Sequence, residues 1–489
     1  MTHNKSQLDV TRRHFFARSA TGIGGVALAS LLNPNLFKPN TARAADSPGA
    51  STPEIPTPGI PTGFMRFAPR AKRIISLFMS GGPSHVDLFD PKPLLTERNG
   101  QPMPKSIIKD HKFAMIKESD PKIKGSPWKF AKHGKSGMDV SELLPHTAGV
   151  VDDLCLIRSV HTDTFNHGPA ISFITTGSVR YGRPTLGAWL SYGLGSANEN
   201  LPAFVVLKSG VKRQPLLESY WASGFLPSQH QGVEFRSKGD PVLFLSNPKG
   251  VSDAARREQL QLLKQMNQRQ LARFNDPEIA TRIAAFELAY RMQTSVPELM
   301  DISGETDATH KLYGSQPGKS QSFANNCLLA RRLAEKGVRF IQLFDMGWDQ
   351  HNNLVKEHTR QCLGIDRAVA ALITDLKQRG LLDETLVIWG GEFGRTPIAQ
   401  GGGGNYGRDH HPHGFCMWLA GGGIKPGMTY GATDEFGYHA TENRVNLFDL
   451  NATILHCLGI DHKRLTYRFQ GRDFRLTDVH GKLIPDIMV

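Results

Sequence analysis

Beyond residue 72 the chain carries six short, nearly unbroken apolar runs: 73–79 (RIISLFM), 154–160 (LCLIRSV), 203–207 (AFVVL), 338–344 (VRFIQLF), 385–389 (TLVIW) and 415–420 (FCMWLA). None alternates between apolar and polar positions. Continuous runs of this length fit strands buried on both faces, as in a parallel or mixed sheet under helices. Helical patterns fill the spaces between them. Ser252 is placed to cap a helix reaching about Phe274. Pro277 stands just inside the next start, and Ile279, Ile283, Phe286 and Tyr290 follow as an i, i+4, i+7, i+11 stripe. Helices near 322–336 and 355–379 stop at Gly337 and Gly380, and a last one from Asn446 to Leu458 stops at Gly459. The alternation predicts an α/β protein, a layered α/β/α arrangement around a largely parallel central sheet.

The opening of the chain has a different pattern. Thr11-Arg12-Arg13-His14-Phe15-Phe16-Ala17 sets two arginines before two phenylalanines, an apolar stretch runs from Ala20 to Leu32, and Ala42-Arg43-Ala44 offers a small-residue cleavage site. The apolar stretch falls short of the roughly 20 residues a spanning helix needs. These parts compose an export signal, and the arginine pair points to the twin-arginine route. Residues 1–44 are therefore expected to be a signal read by the twin-arginine export machinery, with a periplasmic or extracellular destination. Residues 45–70, densest in Pro, Ser, Thr and Gly up to Phe64, read as a linker. Residues 71–489 then form the main domain, with a helical insertion near 250–335. No other segment is long and apolar enough to span a membrane.

Losing six cationic residues and Asp9 with the signal lowers the formal net charge from +13 to +8. A mildly basic surface suits an anionic substrate. No Lys/Arg block interleaved with aromatics is present, so nucleic acid is not an expected partner. The five cysteines, Cys155, Cys327, Cys362, Cys416 and Cys457, are dispersed in apolar surroundings and form no CxxC pair. They read as buried small hydrophobes rather than a disulfide framework.

In open α/β sheets, sites form beyond the carboxyl ends of strands. The residues after each apolar run are the candidates. After the first run come two glycines and Pro83, then His85 and Asp87. After the second comes a polar loop leading to His167, which opens a helix. After 338–344 comes Asp345-Met346-Gly347-Trp348-Asp349-Gln350-His351, carboxylates and an imidazole of the kind that bind divalent metals. After 385–389 comes Glu392, with Arg395 close by as a partner. A glycine-rich loop, Gly401–Gly404, leads to Arg408, Asp409, His410, His411 and His413, of which one or two can bind one metal. Convergence of these segments on one edge predicts a His/carboxylate metal site and Lewis-acid hydrolysis of an anionic ester.

The segments GGPSHVDLFDPKP (81–93), DMGWDQHNN (345–353), GGEFGRTP (390–397), GRDHHPHGF (407–415) and AGGGIKPGMTYGATDE (420–435) resemble the uncharacterised family called domain of unknown function fifteen-oh-one. Their order also resembles the wider alkaline phosphatase/sulfatase superfamily, which implies an alkaline phosphatase-like fold. Under that resemblance the sulfatase nucleophile falls on His167 and its arginine on Ile171. The first-strand Asp pair is replaced by Ser80-Gly81, and the late Asp-His-Gly by Glu392-Phe393-Gly394. The Asp/His pair is kept as Asp349 and His351, and the later His as His410.

The usual nucleophile is absent, so water is the expected attacking group, with His167 the one side-chain alternative. The expected ligands for a divalent ion (Zn, Ca or Mg) are Asp349, His351, Glu392 and His410, aided by His85 and Asp87. Arg395 or Arg408 is expected to clamp the anionic group. The expected function is an exported, sulfatase-like, metal-dependent hydrolase of sulfate or phosphate esters acting on a small-molecule or glycan ester. The alternative is a non-catalytic protein that binds an anionic glycan or a partner on the same fold.

Overall fold

A central nine-stranded mixed sheet organises the chain. In the computed structural model, residues 63–489 are described except 110–111, 211–217, 237–239, 244, 248 and 275–276. The expected export signal, and the linker as far as residue 62, lie outside the described residues. Residues 63–70, expected as the linker's end, are packed against the domain: Phe64 is buried, and Arg66 N–H donates to Gly459 O at 3.0 Å.

The sheet strands, in chain order, are β1 (Arg73–Ser80), β2 (Leu154–His161), β3 (Phe204–Gly210), β4 (Val233–Glu234), β5 (Phe340–Met346), β6 (Thr385–Gly390), β7 (Phe415–Ala420), β8 (Met428–Tyr430) and β9 (Val445–Asn446). Their spatial order is β8-β2-β7-β6-β1-β5-β3-β4, with β9 also pairing β2. β1 pairs in parallel with β5 and β6, and β3 with β5 and β4. β7 is antiparallel to both β2 and β6, so the sheet is mixed but mostly parallel. All six apolar runs became strands of this sheet. The three shortest strands, β4, β8 and β9, lack an apolar run long enough to announce them.

The unbroken apolar runs follow from two cores. Along β1, Ile75, Leu77 and Met79 enter one core while Ile74 and Phe78 enter the other. Successive side chains of a strand point to opposite faces, so covering both faces leaves few polar alternates. Each fully buried Ile or Leu contributes about 1.5–3 kcal/mol. The first core is covered by α5 (Phe323–Glu335), α6 (Leu354–Gln378) and the second half of α4 (Pro277–Met300). The second is covered by α1 (His167–Thr176), α2 (Leu186–Leu194) and α7 (Leu447–Cys457). This is the α/β/α layering the pattern predicts.

Helix ends agree with the sequence where a cap is chemical. Asn446 accepts Phe448 N–H at 3.0 Å to start α7, and Gly459 follows it at φ +79°. Ser252 Oγ accepts Ala255 N–H at 3.2 Å at the start of α3 (Asp253–Phe274). One helical expectation holds only in part. In α4 the predicted stripe is only partly buried: Ile283 is buried, Ile279 and Tyr290 are half-buried, and Phe286 stays 41% exposed. The helix reaches the first core further on, through Met292, Val296 and Leu299. All five cysteines are buried and none forms a disulfide. Among the described residues, no helix is long and apolar enough to cross a membrane.

Candidate metal centre

The carboxyl ends of the central strands β5, β1 and β6 carry most of the site. Asp349 and His351 follow β5. Glu392 and Arg395 follow β6. His410 lies in a short two-residue strand, His410–His411, paired antiparallel with Gly394–Arg395, which sets His410 opposite Arg395. His167 is the first residue of α1, delivered by the loop after β2. Two close backbone approaches fix the turns. A Cβ on Gly81 (φ +122°) would stand 2.5 Å from Asp349 N, and one on Gly407 would stand 2.1 Å from His351 C. Neither position tolerates a side chain, so Asp349 and His351 are clamped by neighbouring main chain.

His167, Asp349, His351 and His410 each offer one ligand atom, and the four atoms lie within 4.8 Å of one another. Asp349 Oδ1 is the common point: it is 2.9 Å from His351 Nε2 and 3.3 Å from both His167 Nε2 and His410 Nε2. The opposite nitrogen of each ring is engaged behind the centre. His167 Nδ1 meets Glu392 Oε1 at 2.6 Å, His351 Nδ1 meets Gln400 Oε1 at 2.6 Å, and His410 Nδ1 meets Phe165 O at 2.7 Å. All three partners are acceptors, so each Nδ1 carries the proton and donates. Each Nε2 then presents a lone pair inward. His351 Nε2 and His410 Nε2 face each other at 2.9 Å. Two lone pairs at that distance repel unless the nitrogens share a proton or are bound to one metal ion. His167 Nε2 is buried without a hydrogen-bond partner. The donor set and this unpaired nitrogen fit a metal ion.

The charges in the group act on one another. Burial works to protonate Asp349, but Arg395 and the three imidazoles overcome it and hold the carboxyl far below the usual range. Burial pushes the His410 imidazole down to about 4. At His167 burial is outweighed by the neighbouring carboxylates Asp349 and Glu392, which raise its pKa.

The other candidates occupy supporting positions. Glu392, fully buried, accepts Gly81 N–H at 2.9 and 3.2 Å as well as the His167 proton. It therefore stands behind a candidate ligand, outside the four-residue group. Arg395, 1% exposed, donates to Asp349 Oδ1 at 2.6 Å and to the carbonyls of Gly82, Arg408, Gly81 and Trp348. Its guanidinium is turned inward on protein acceptors, so the expected anion clamp is corrected to a brace for Asp349. Arg408 is equally committed, with Nε 2.7 Å and Nη2 3.0 Å from the two oxygens of Asp87. That buried pair takes Asp87 out of the group. His85 Nε2 bonds Gly437 O at 2.8 Å and also lies outside it. The expectation that His85 and Asp87 aid the metal fails because their helical turn aims them at Gly437 and Arg408. His167, weighed only as a nucleophile, stands among the candidate ligands.

Gln400 was missed, although its place just before the Gly401–Gly404 loop marks it as a loop-anchoring residue. Phe165 acts through its carbonyl, which no side-chain pattern reveals.

Fold and site define an α/β protein with a three-His, one-Asp candidate metal centre at the carboxyl edge of a mostly parallel sheet. The chain belongs to the family described as Protein of unknown function (DUF1501), whose model matches residues 71–488. No curated protein sequence matches it. Among solved structures, a protein in the alkaline phosphatase superfamily from Vibrio parahaemolyticus is similar at 10% identity and TM-score 0.36, covering 82% of this chain and 70% of that one. The lipoteichoic acid synthase LtaP from Listeria monocytogenes is similar at 9% identity and TM-score 0.35, covering 84% and 76%. Alkaline phosphatase from the Antarctic bacterium TAB5 is similar at 10% identity and TM-score 0.31, covering 75% and 96%. These are loose likenesses.

Proposed function

We propose that this protein is an exported, metal-dependent hydrolase of a phosphate or sulfate ester, with His167, Asp349, His351 and His410 holding one divalent cation. The observation that carries the reading is the 2.9 Å approach of His351 Nε2 and His410 Nε2, with both Nδ1 protons already donated to Gln400 and Phe165. Three imidazoles and one carboxylate favour zinc or another transition ion over magnesium or calcium, which take mainly oxygen ligands. Such an ion supplies positive charge and Lewis acidity to an ester oxygen.

The protein's own groups prepare the centre. Glu392 fixes the tautomer and orientation of His167, Gln400 does so for His351, and Arg395 keeps Asp349 ionised and aimed. Water is the attacking group in this reading, since the residue at the expected nucleophile position, His167, is used as a ligand. The Arg12-Arg13 signal supports folding and metal uptake before export through the twin-arginine machinery to the periplasm or beyond.

Metal analysis and turnover test the reading together. The purified protein should hold about one divalent ion per chain, and it should hydrolyse p-nitrophenyl phosphate or sulfate. Chelation should abolish turnover and zinc should restore it. Asp349→Ala and His351→Ala should lose both the ion and the activity. A protein without a bound ion, or one whose ion survives both substitutions, refutes the assignment. Tight binding of sulfated or phosphorylated glycan with no turnover of any ester favours the binding protein instead.

A further inference from the structure

We propose that the Ser80 hydroxyl contacts the ligand, donating a hydrogen bond to an oxygen of the anionic group bound at the metal centre. This rests on the metal-centre reading above. Ser80 ends β1, the strand at the middle of the site, and is 2% exposed. Its carbonyl accepts Trp348 N–H at 3.2 Å, one residue before Asp349. The next N–H, that of Gly81, donates to Glu392 at 2.9 Å. Ser80 is thus held in the floor of the site, between the candidate ligand Asp349 and the residue that orients His167.

Alternation fixes the face of its side chain. Ile74 and Phe78 point into the second core, which α1 covers with Ile171 and Phe173. Ser80 continues that series, toward the layer in which α1 begins with His167. Its Oγ is buried and has no hydrogen-bond partner. Nearby hydroxyls are used within the protein: Ser84 donates to Asp87 at 2.6 Å and Ser209 to Asp345 at 2.9 Å. A buried hydroxyl left unpaired is unfavourable and calls for a partner. Arg395 and Arg408 are committed to Asp349 and Asp87, so an incoming anion needs other donors. Ser80 supplies a neutral one.

The test is Ser80→Ala in the full-length protein, read by zinc stoichiometry, melting temperature and inorganic phosphate binding by calorimetry. Removing an unpaired hydroxyl should leave zinc content unchanged and the melting temperature equal or higher. Phosphate affinity should fall about tenfold, the loss of one hydrogen bond. Ser80→Thr, which keeps the hydroxyl, should restore most of it. Ser80→Cys gives the same comparison if the alanine variant does not fold. Unchanged phosphate affinity in the alanine or cysteine variant overturns the proposal. A wild-type protein that binds zinc but not phosphate overturns it and leaves the metal centre standing, whereas one that takes up no zinc overturns both.

Discussion

Replacing Glu392 with glutamine separates a supporting carboxylate from a ligating one. The wild-type carboxylate is fully buried and faces donors only: His167 Nδ1 at 2.6 Å and Gly81 N at 2.9 and 3.2 Å. Glutamine keeps the shape but brings one oxygen and one amine. If the oxygen serves Gly81, the amine faces the Nδ1 proton of His167, and the ring must move or change tautomer. Either change takes the Nε2 lone pair away from the centre. A hydrogen bond to a charged group contributes about 1.5–3 kcal/mol, and losing such a support for a ligating histidine costs about 10–100-fold in metal affinity. Zinc dissociation constants for Glu392→Gln and wild type, from competition with a chromogenic chelator, should differ within that range, with stoichiometry still one at saturating zinc. An affinity within about twofold of wild type refutes the supporting role. Complete loss of binding in a variant that retains its fold refutes it in the other direction, because a direct ligand behaves that way.

Four further substitutions address the surrounding structure. Arg395→Ala strips Asp349 of its cation and takes a donor from the carbonyls of Gly81, Gly82 and Arg408; breaking a largely buried pair of this kind should cost about 3 kcal/mol in urea unfolding, and a loss below about 1 kcal/mol contradicts the brace. Asp87→Asn should be similarly destabilising, because Arg408 keeps its buried charge, yet the folded fraction should bind zinc normally; loss of zinc from folded protein returns Asp87 to the ligand set. Gly81→Ala should lower both stability and zinc affinity, since its Cβ would stand 2.5 Å from Asp349 N at a φ of +122°; wild-type zinc affinity counts against the clamp. Asp345 is pushed up to about 6 because burial outweighs its hydrogen bonds from Ser209, Trp348 and Gln361. The folded state then holds a proton that the unfolded chain releases near pH 4, so this residue's contribution is present below about pH 4 and lost as pH rises through about 6. With chelator present throughout, the wild-type unfolding free energy should fall relative to Asp345→Asn by about 2 kcal/mol from pH 4 to 7, and a flat difference refutes the assignment.

The fold was legible where burial is two-sided. A strand such as β1 supplies Ile75, Leu77 and Met79 to one core and Ile74 and Phe78 to the other, so its composition alone marks it as central. The antiparallel sense of β7 was not legible, because FCMWLA reads the same in either direction of pairing. β4 and β9 hold only two residues each, too few for any period. In α4 the stripe Ile279–Tyr290 has helical spacing, and the helix forms. Spacing alone does not say which part of a helix reaches the core, and here that is the half containing Met292, Val296 and Leu299.

At the site, residue types and strand-end positions were legible, and roles were not. Asp349 and His351 lie in the turn after a parallel strand, at the carboxyl edge of the sheet, and His410 reaches the same edge because β7, which it precedes, runs antiparallel. His85 and Asp87 have the same credentials and go elsewhere: a single helical turn after Gly81-Gly82-Pro83 sends one to Gly437 and the other to Arg408. A carboxylate that binds a metal and one that orients a histidine are the same residue in a sequence, and Glu392 differs from Asp349 only in what stands before it. The arginines show the same ambiguity. An Arg beside a candidate anion site reads as a clamp until its nitrogens are found on Asp349 and the carbonyls of Gly81, Gly82 and Arg408. Ser80 is the reverse case. In the sequence Ser80 reads only as the replacement of an expected acid, and the lack of a partner for its buried hydroxyl is what points to a ligand. What separates these residues is where each donor or lone pair is already satisfied: groups satisfied by the protein support the site, and those left facing its centre act on what binds there.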